Sequence, residues 1–120
     1  MARVLVVDDK ASNREFLRTA LEHAGHEVHE ASDGISALEA MQWVQPQLVL
    51  LDIQMPGLDG YGVLERVKSD KTLCHIPFIA VTAYAMAGDA ERGRQAGFKE
   101  YLTKPVSIKQ LLTAVARQLD

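Results

Sequence analysis

Cysteine is nearly missing from this chain: Cys74 stands alone among 120 residues, so no internal disulfide can form. No apolar stretch approaches the roughly 20 residues of a membrane-spanning helix. Met1-Ala2-Arg3 leads straight into Val4-Leu5-Val6-Val7, a run too short for a secretory signal and without a small-residue cleavage site. No charge sign dominates. Thirteen Lys and Arg against sixteen Asp and Glu leave a net charge of −3, which lacks the basic footprint of direct nucleic-acid binding. No repeat, low-complexity tract or Pro/Gly/Ser linker divides the sequence. What remains is an ordinary globular balance, 48% apolar and 24% charged, at a length that supports one core. The expectation is one cytoplasmic domain over residues 1–120, with no membrane insertion.

Within that length, short apolar runs alternate with stretches of helical period. Strands are expected at about Arg3 to Val7, His26 to Ala31, Leu48 to Leu51, Phe78 to Val81 and Glu100 to Thr103. His26 to Ala31 is polar and suits a sheet edge. Leu48 to Leu51 is apolar on both faces, as in a strand covered by helices on each side. The first helix offers Phe16, Leu17, Ala20, Leu21 and Ala24 as its inward face, with Arg14, Glu15, Arg18 and Glu22 turned to water. Ser12 is its expected N-cap, with Glu15 completing a capping box, and Gly25 ends it. Asp33 and Ser36 cap a second helix that carries Ala37, Leu38 and Met41 and stops before Pro46. Tyr61 to Lys68, about Gly88 to Gln95, and a segment capped by Ser107 supply the other three. The last carries Ile108, Leu111, Leu112, Val115 and Leu119 on one face. Five strands and five helices in strict alternation predict an α/β fold, a parallel sheet with helices on both faces.

Every strand of such a sheet delivers its ligand-binding residues at its carboxyl end. Here those ends carry Asp8-Asp9, Asp52, Thr82 and Lys104-Pro105. Three carboxylates on adjacent strands repel one another, and a divalent cation relieves that cost. Oxygen ligands without His or Cys favour a hard ion, Mg2+ rather than Ca2+ when water and phosphate complete the set. Lys104 can pair with Asp52 or with a phosphate on it. The X-Pro bond after it raises the chance of a cis peptide. Thr82 offers a hydroxyl and Ala83 an accessible backbone N–H to phosphate oxygens.

Those motifs, with Asp52 set in Leu51-Asp52-Ile53-Gln54-Met55-Pro56-Gly57-Leu58-Asp59-Gly60, resemble the receiver domain of bacterial two-component response regulators. The resemblance covers essentially the whole chain. Residues 81 to 92, Val-Thr-Ala-Tyr-Ala-Met-Ala-Gly-Asp-Ala-Glu-Arg, look most like single-domain, DivK-like regulators and the receivers of hybrid kinases. The family implies a flavodoxin-like, doubly wound sheet of order 2-1-3-4-5. It implies Asp52 as the nucleophile that takes a phosphoryl group from a sensor histidine kinase or a histidine phosphotransfer protein. Asp9, Asp52 and the backbone carbonyl of Gln54 would hold Mg2+, with Asp8 supporting through water. Thr82, the Ala83 amide and Lys104 would bind the phosphoryl oxygens. Thr82 and Tyr101 would form the switch, signalling to a downstream protein partner through the fourth helix, last strand and fifth helix. Gln54 and Tyr84 would flank the phosphoryl group and tune its lifetime.

Other chemistries fit less well. A haloacid-dehalogenase-type phosphatase wants a second acid two residues after its nucleophile, where this chain has Gln54, and usually a cap domain. A flavodoxin-like electron carrier wants a Ser/Thr/Gly-rich loop in place of Asp8-Asp9-Lys10. A pseudo-receiver, independent of phosphorylation, would lack site residues, and none is missing. The protein is therefore expected to act as a regulatory domain, not as an enzyme on a diffusible metabolite. Asp120 directly follows the last helix, which fits either a stand-alone regulator or a receiver from a longer protein. His23, His26 and His29 are scattered by a helix end and an alternating strand, so no metal site is expected there. Cys74 has no partner base and is not expected to be a nucleophile.

Overall fold

The computed structural model describes residues 2–119. Strands β1 (Arg3–Val7), β2 (Glu27–Ala31), β3 (Leu48–Leu51), β4 (Phe78–Thr82) and β5 (Glu100–Thr103) alternate with five helices. These are α1 (Ala11–His23), α2 (Gly34–Val44), α3 (Gly60–Lys68), α4 (Asp89–Ala96) and α5 (Ile108–Leu119). The strands form one parallel sheet in the order β2-β1-β3-β4-β5, the flavodoxin-like doubly wound arrangement.

Because successive side chains of a strand point to opposite faces, each buried strand feeds two cores. Leu5, Val7, Val49, Leu51, Phe78 and Ala80 pack with Ala37 and Met41 of α2 and Val63, Leu64 and Val67 of α3. Val4, Val6, Leu48, Leu50, Ile79 and Val81 pack with Leu17 and Leu21 of α1 and Leu111 and Val115 of α5. The polar strand β2 lies at the edge, as its composition predicts.

Capping follows the sequence in three of four predicted places. Asp33 accepts the Ser36 N–H at the start of α2. The Ser107 hydroxyl accepts the Gln110 N–H, while the Gln110 side chain accepts the Ser107 N–H. Gly25 adopts φ 92° beyond the end of α1. The exception is Ser12. Helix α1 starts one residue earlier, at Ala11, with Lys10 at the N-cap and no side-chain cap. The first turn closes on the Lys10 carbonyl through the Arg14 N–H, and the Lys10 N–H is already taken by the Asp8 carboxylate. That turn leaves Ser12 inside the helix.

Three inward assignments also change. Phe16 is 42% exposed, Ala24 is exposed, and Ile108 is 50% exposed. The seam between α1 and the sheet is narrower than the apolar stripe, so Leu17, Ala20 and Leu21 fill it and Phe16 falls on the flank. Trp43 is also exposed, with its ring edge-on to His29, which pairs with Glu27. Cys74 is exposed. No helix among the described residues is long and apolar enough to cross a membrane.

Candidate functional site

Strand register assembles the site. Val7 pairs with Leu51, so Asp8 and Asp52 leave adjacent strands at the same level, where the strand order reverses. Thr82 pairs with Thr103, which places Lys104 one residue beyond the same edge. Backbone hydrogen bonds continue each pairing past the strand ends. The Asp8 N–H donates to Ala31 O (3.2 Å), Asp52 N–H to Val7 O (3.0 Å) and Lys104 N–H to Thr82 O (2.9 Å).

At that edge the Lys104 ammonium donates to Asp8 Oδ2 at 2.7 Å and to Asp52 Oδ2 at 2.9 Å. Both carboxylates are buried, while Asp9 is exposed. Asp8, Asp9 and Asp52 each offer an oxygen within 4.8 Å of the others. The second oxygens of the two buried acids are also satisfied. Asp8 Oδ1 accepts the Lys10 N–H at 2.9 Å, and Asp52 Oδ1 accepts the Gln54 N–H at 3.0 Å. Burial works against the lysine's charge, but hydrogen bonds to Asp8 and Asp52 and their attraction outweigh it. Its pKa is raised above the ordinary lysine value of 10.5. The bond from Lys104 to Pro105 is cis.

A cleft of about 450 Å3 opens over these groups. Asp9, Asp52, Gln54, Ala83, Tyr84 and Lys104 all line it. Thr82 does not. It is fully buried, and its hydroxyl accepts the Tyr84 N–H at 3.3 Å. The loop that carries Gln54 is held from behind by Gly60, whose N–H donates to Ile53 O at 3.0 Å. A Cβ at Gly60 would sit 2.7 Å from Ile53 Cα and 2.8 Å from the Asp52 carbonyl, so only glycine permits this approach.

Tyr101 is half-buried on the far side of the Thr82 loop. Its hydroxyl donates to the Tyr84 carbonyl at 2.9 Å, which ties the ring to a residue lining the cleft. The ring lies directly on Gly93 of α4, where a Cβ would come within 2.6 Å of it. Burial, with the Asp89 charge adding, pushes the Tyr101 phenol up to about 12.

One residue that the helical pattern assigned to solvent belongs to this assembly. Arg14 is only 17% exposed; its Nη1 donates to the Asp8 carbonyl at 2.7 Å and its Nε to Glu30 at 3.0 Å. A guanidinium four residues into α1, with an acid on the neighbouring edge strand, was the available signal. The period of the helix alone hides it.

Comparison with known proteins agrees with this geometry. Residues 4–116 match the family described as response regulator receiver domain. The polar-differentiation response regulator DivK of Brucella ovis is 39% identical over 116 residues, which cover 97% of this chain and 94% of that protein. The structure of the Vibrio cholerae chemotaxis protein CheY4 superposes with a TM-score of 0.91 at 30% identity, covering 99% of both chains. The Francisella response regulator 1452 receiver domain does so at 0.91 and 29% identity, covering 99% of this chain and 97% of that one. The family match takes the place of the phosphatase and electron-carrier readings, whose motifs the sequence lacks. A carboxyl-edge acid cluster, its pairing lysine and these relatives converge on one assignment: the chain belongs to the response regulator receiver domain family of two-component systems.

Proposed function

We propose that this protein is a phosphorylation-switched signalling module over residues 1–120, with Asp52 as phosphoacceptor. The observation that carries the proposal is the shared lysine. Lys104 holds Asp52 and Asp8 together beneath an open cleft, so a nucleophile and a charge-neutralising cation already face one space. The donor is the phosphohistidine of a sensor histidine kinase or a histidine phosphotransfer protein. Asp52 forms the new oxygen–phosphorus bond while the histidine nitrogen–phosphorus bond breaks and its electron pair returns to the imidazole. Such transfer needs positioning and charge neutralisation more than covalent assistance.

The donor set suits Mg2+: three carboxylates converge within 4.8 Å, with no His or Cys beside them, and one of them is exposed. Asp9, Asp52 and the Gln54 carbonyl would hold the ion, with Asp8 supporting through water. Bound there, Mg2+ neutralises charge on the phosphoryl oxygens. Lys104 leaves Asp52 to neutralise one phosphoryl oxygen, and the Ala83 N–H and Thr82 hydroxyl bind others. Thr82, buried and outside the cleft wall, must move toward the phosphoryl group to do so, and Tyr101 moves into the space it leaves. The altered face of α4, β5 and α5 is then read by a downstream protein partner. The domain catalyses only its own phosphorylation and dephosphorylation, and it acts in the cytoplasm.

Incubation with Mg2+ and acetyl phosphate, or with a beryllofluoride analogue, followed by mass spectrometry and NMR, tests the reading. Wild type should gain one phosphoryl group at Asp52, and Asp52→Asn none. An unmodified wild type, or an equal response in Asp52→Asn, would reject it.

A further inference from the structure

Asp9 differs from its two neighbours in how it is aimed. Asp8 and Asp52 are each fixed by a lysine on one oxygen and a backbone N–H on the other. Among the described residues no side chain donates to the Asp9 carboxylate, which is exposed. Its direction is therefore set by its backbone, and the peptide before it joins Asp8 to Asp9. Arg14 grips that peptide by the Asp8 carbonyl, at 2.7 Å. Its other side is anchored to Glu30 on the edge strand, and Glu30 also takes Arg18 at 2.8 Å. Burial works against the Glu30 charge, but the two guanidiniums hold its carboxyl below the usual range. Arg14 does not line the acid cleft in which the metal and phosphoryl group would sit.

We infer that Arg14 is a positioning residue for the metal-binding acid Asp9, its planar fork fixing the Asp8–Asp9 peptide to Glu30 of β2. This rests on the proposed Mg2+ site. A guanidinium suits the role because one planar group donates in two directions at once; a lysine ammonium lacks that fixed fork. Outer partners that orient metal ligands carry effects on affinity of about tenfold or more.

Charge and position make opposite predictions. If Arg14 acted only as a nearby cation, its removal would tighten Mg2+ binding by relieving repulsion. If it positions Asp9, removal weakens binding. The experiment uses Arg14→Ala and Arg14→Lys, with Arg18→Ala as a control that disrupts the same ion-pair network without touching Asp8. In the metal-free proteins, NMR hydrogen exchange at the Lys10 amide should be about tenfold faster in both Arg14 variants than in wild type or Arg18→Ala. Calorimetric titration with Mg2+ alone should show about tenfold weaker binding in the same two variants. Unchanged exchange at Lys10, tighter Mg2+ binding in Arg14→Ala, or an equal loss in Arg18→Ala would overturn the inference. Faster exchange in the Arg14 variants beside a wild type that binds no Mg2+ would uphold the positioning of the loop and refute the metal site itself.

Discussion

Lys104 and Asp52 are in direct contact, 2.9 Å from ammonium to carboxylate, with Asp8 on the same ammonium at 2.7 Å. The proposed nucleophile is thus neutralised in place, and its partner is the cation that would otherwise meet the incoming phosphoryl group.

Lys104→Met should expose the cost of that arrangement. It leaves two buried carboxylates side by side with no cation, a loss of about 3 kcal/mol by analogy with broken buried ion pairs. Urea unfolding with and without Mg2+ measures it, and Mg2+ should recover more stability in the variant than in wild type. The pH dependence has a definite sign. The folded state favours protonated Lys104, so its contribution is full at neutral pH and is lost as pH rises through and above 10.5. The variant should lack that alkaline loss.

Tyr101→Phe removes a hydroxyl that bonds the Tyr84 carbonyl and should cost about 1 kcal/mol. The neutral phenol is favoured in the fold, so the stability it adds is full below its ordinary value of 10.0 and fades as pH climbs to about 12. A phenolate absorbance titration should lose this late event in the variant. Tyr101→Ala should leave phosphorylation of Asp52 intact while weakening partner discrimination between the two states. Equal discrimination in Tyr101→Ala and wild type would remove Tyr101 from the switch.

Helix α1 shows where sequence pattern suffices and where it does not. Periodicity located the helix and its buried Leu17, Ala20 and Leu21, because apolar residues must meet the sheet. It could not separate Phe16 from Leu17, since adjacent residues share a broad stripe and only the width of the seam decides. Nor could it find Arg14, whose partners are a backbone carbonyl and an edge-strand glutamate supplied by the tertiary fold. Asp8, Asp52 and Lys104 were legible for the opposite reason. Asp8 and Asp52 abruptly end buried strands, which leaves them little freedom in where they can go, and Lys104 directly follows the strand paired with β4 at the same edge.

Tyr84→Ala should shorten the lifetime of the phosphorylated state several-fold. Tyr84 lines the cleft and is 41% exposed, and in the proposed phosphorylated state its ring would hinder water approaching opposite the aspartyl oxygen. Decay of labelled protein followed by mass spectrometry measures the rate. Matching decay in the two proteins would assign Tyr84 no part in the lifetime.

Gly60→Ala should shift the Gln54 loop, because the new methyl meets backbone atoms of Ile53 and Asp52 and not a yielding side chain. A loss of about 2 kcal/mol is expected from such overpacking. Mg2+ affinity should fall with it, read by titration of the folded variant. Wild-type stability and affinity together would show that the loop relaxes freely.

The pairing of Lys104 with Asp8 spans 96 residues and that with Asp52 spans 52. A chain made only as far as β4 holds all three acids but neither Lys104 nor the edge strand β5. The two buried carboxylates therefore gain their shared counter-charge only when the last strand docks beside β4, which ties completion of the acid pair to completion of the fold.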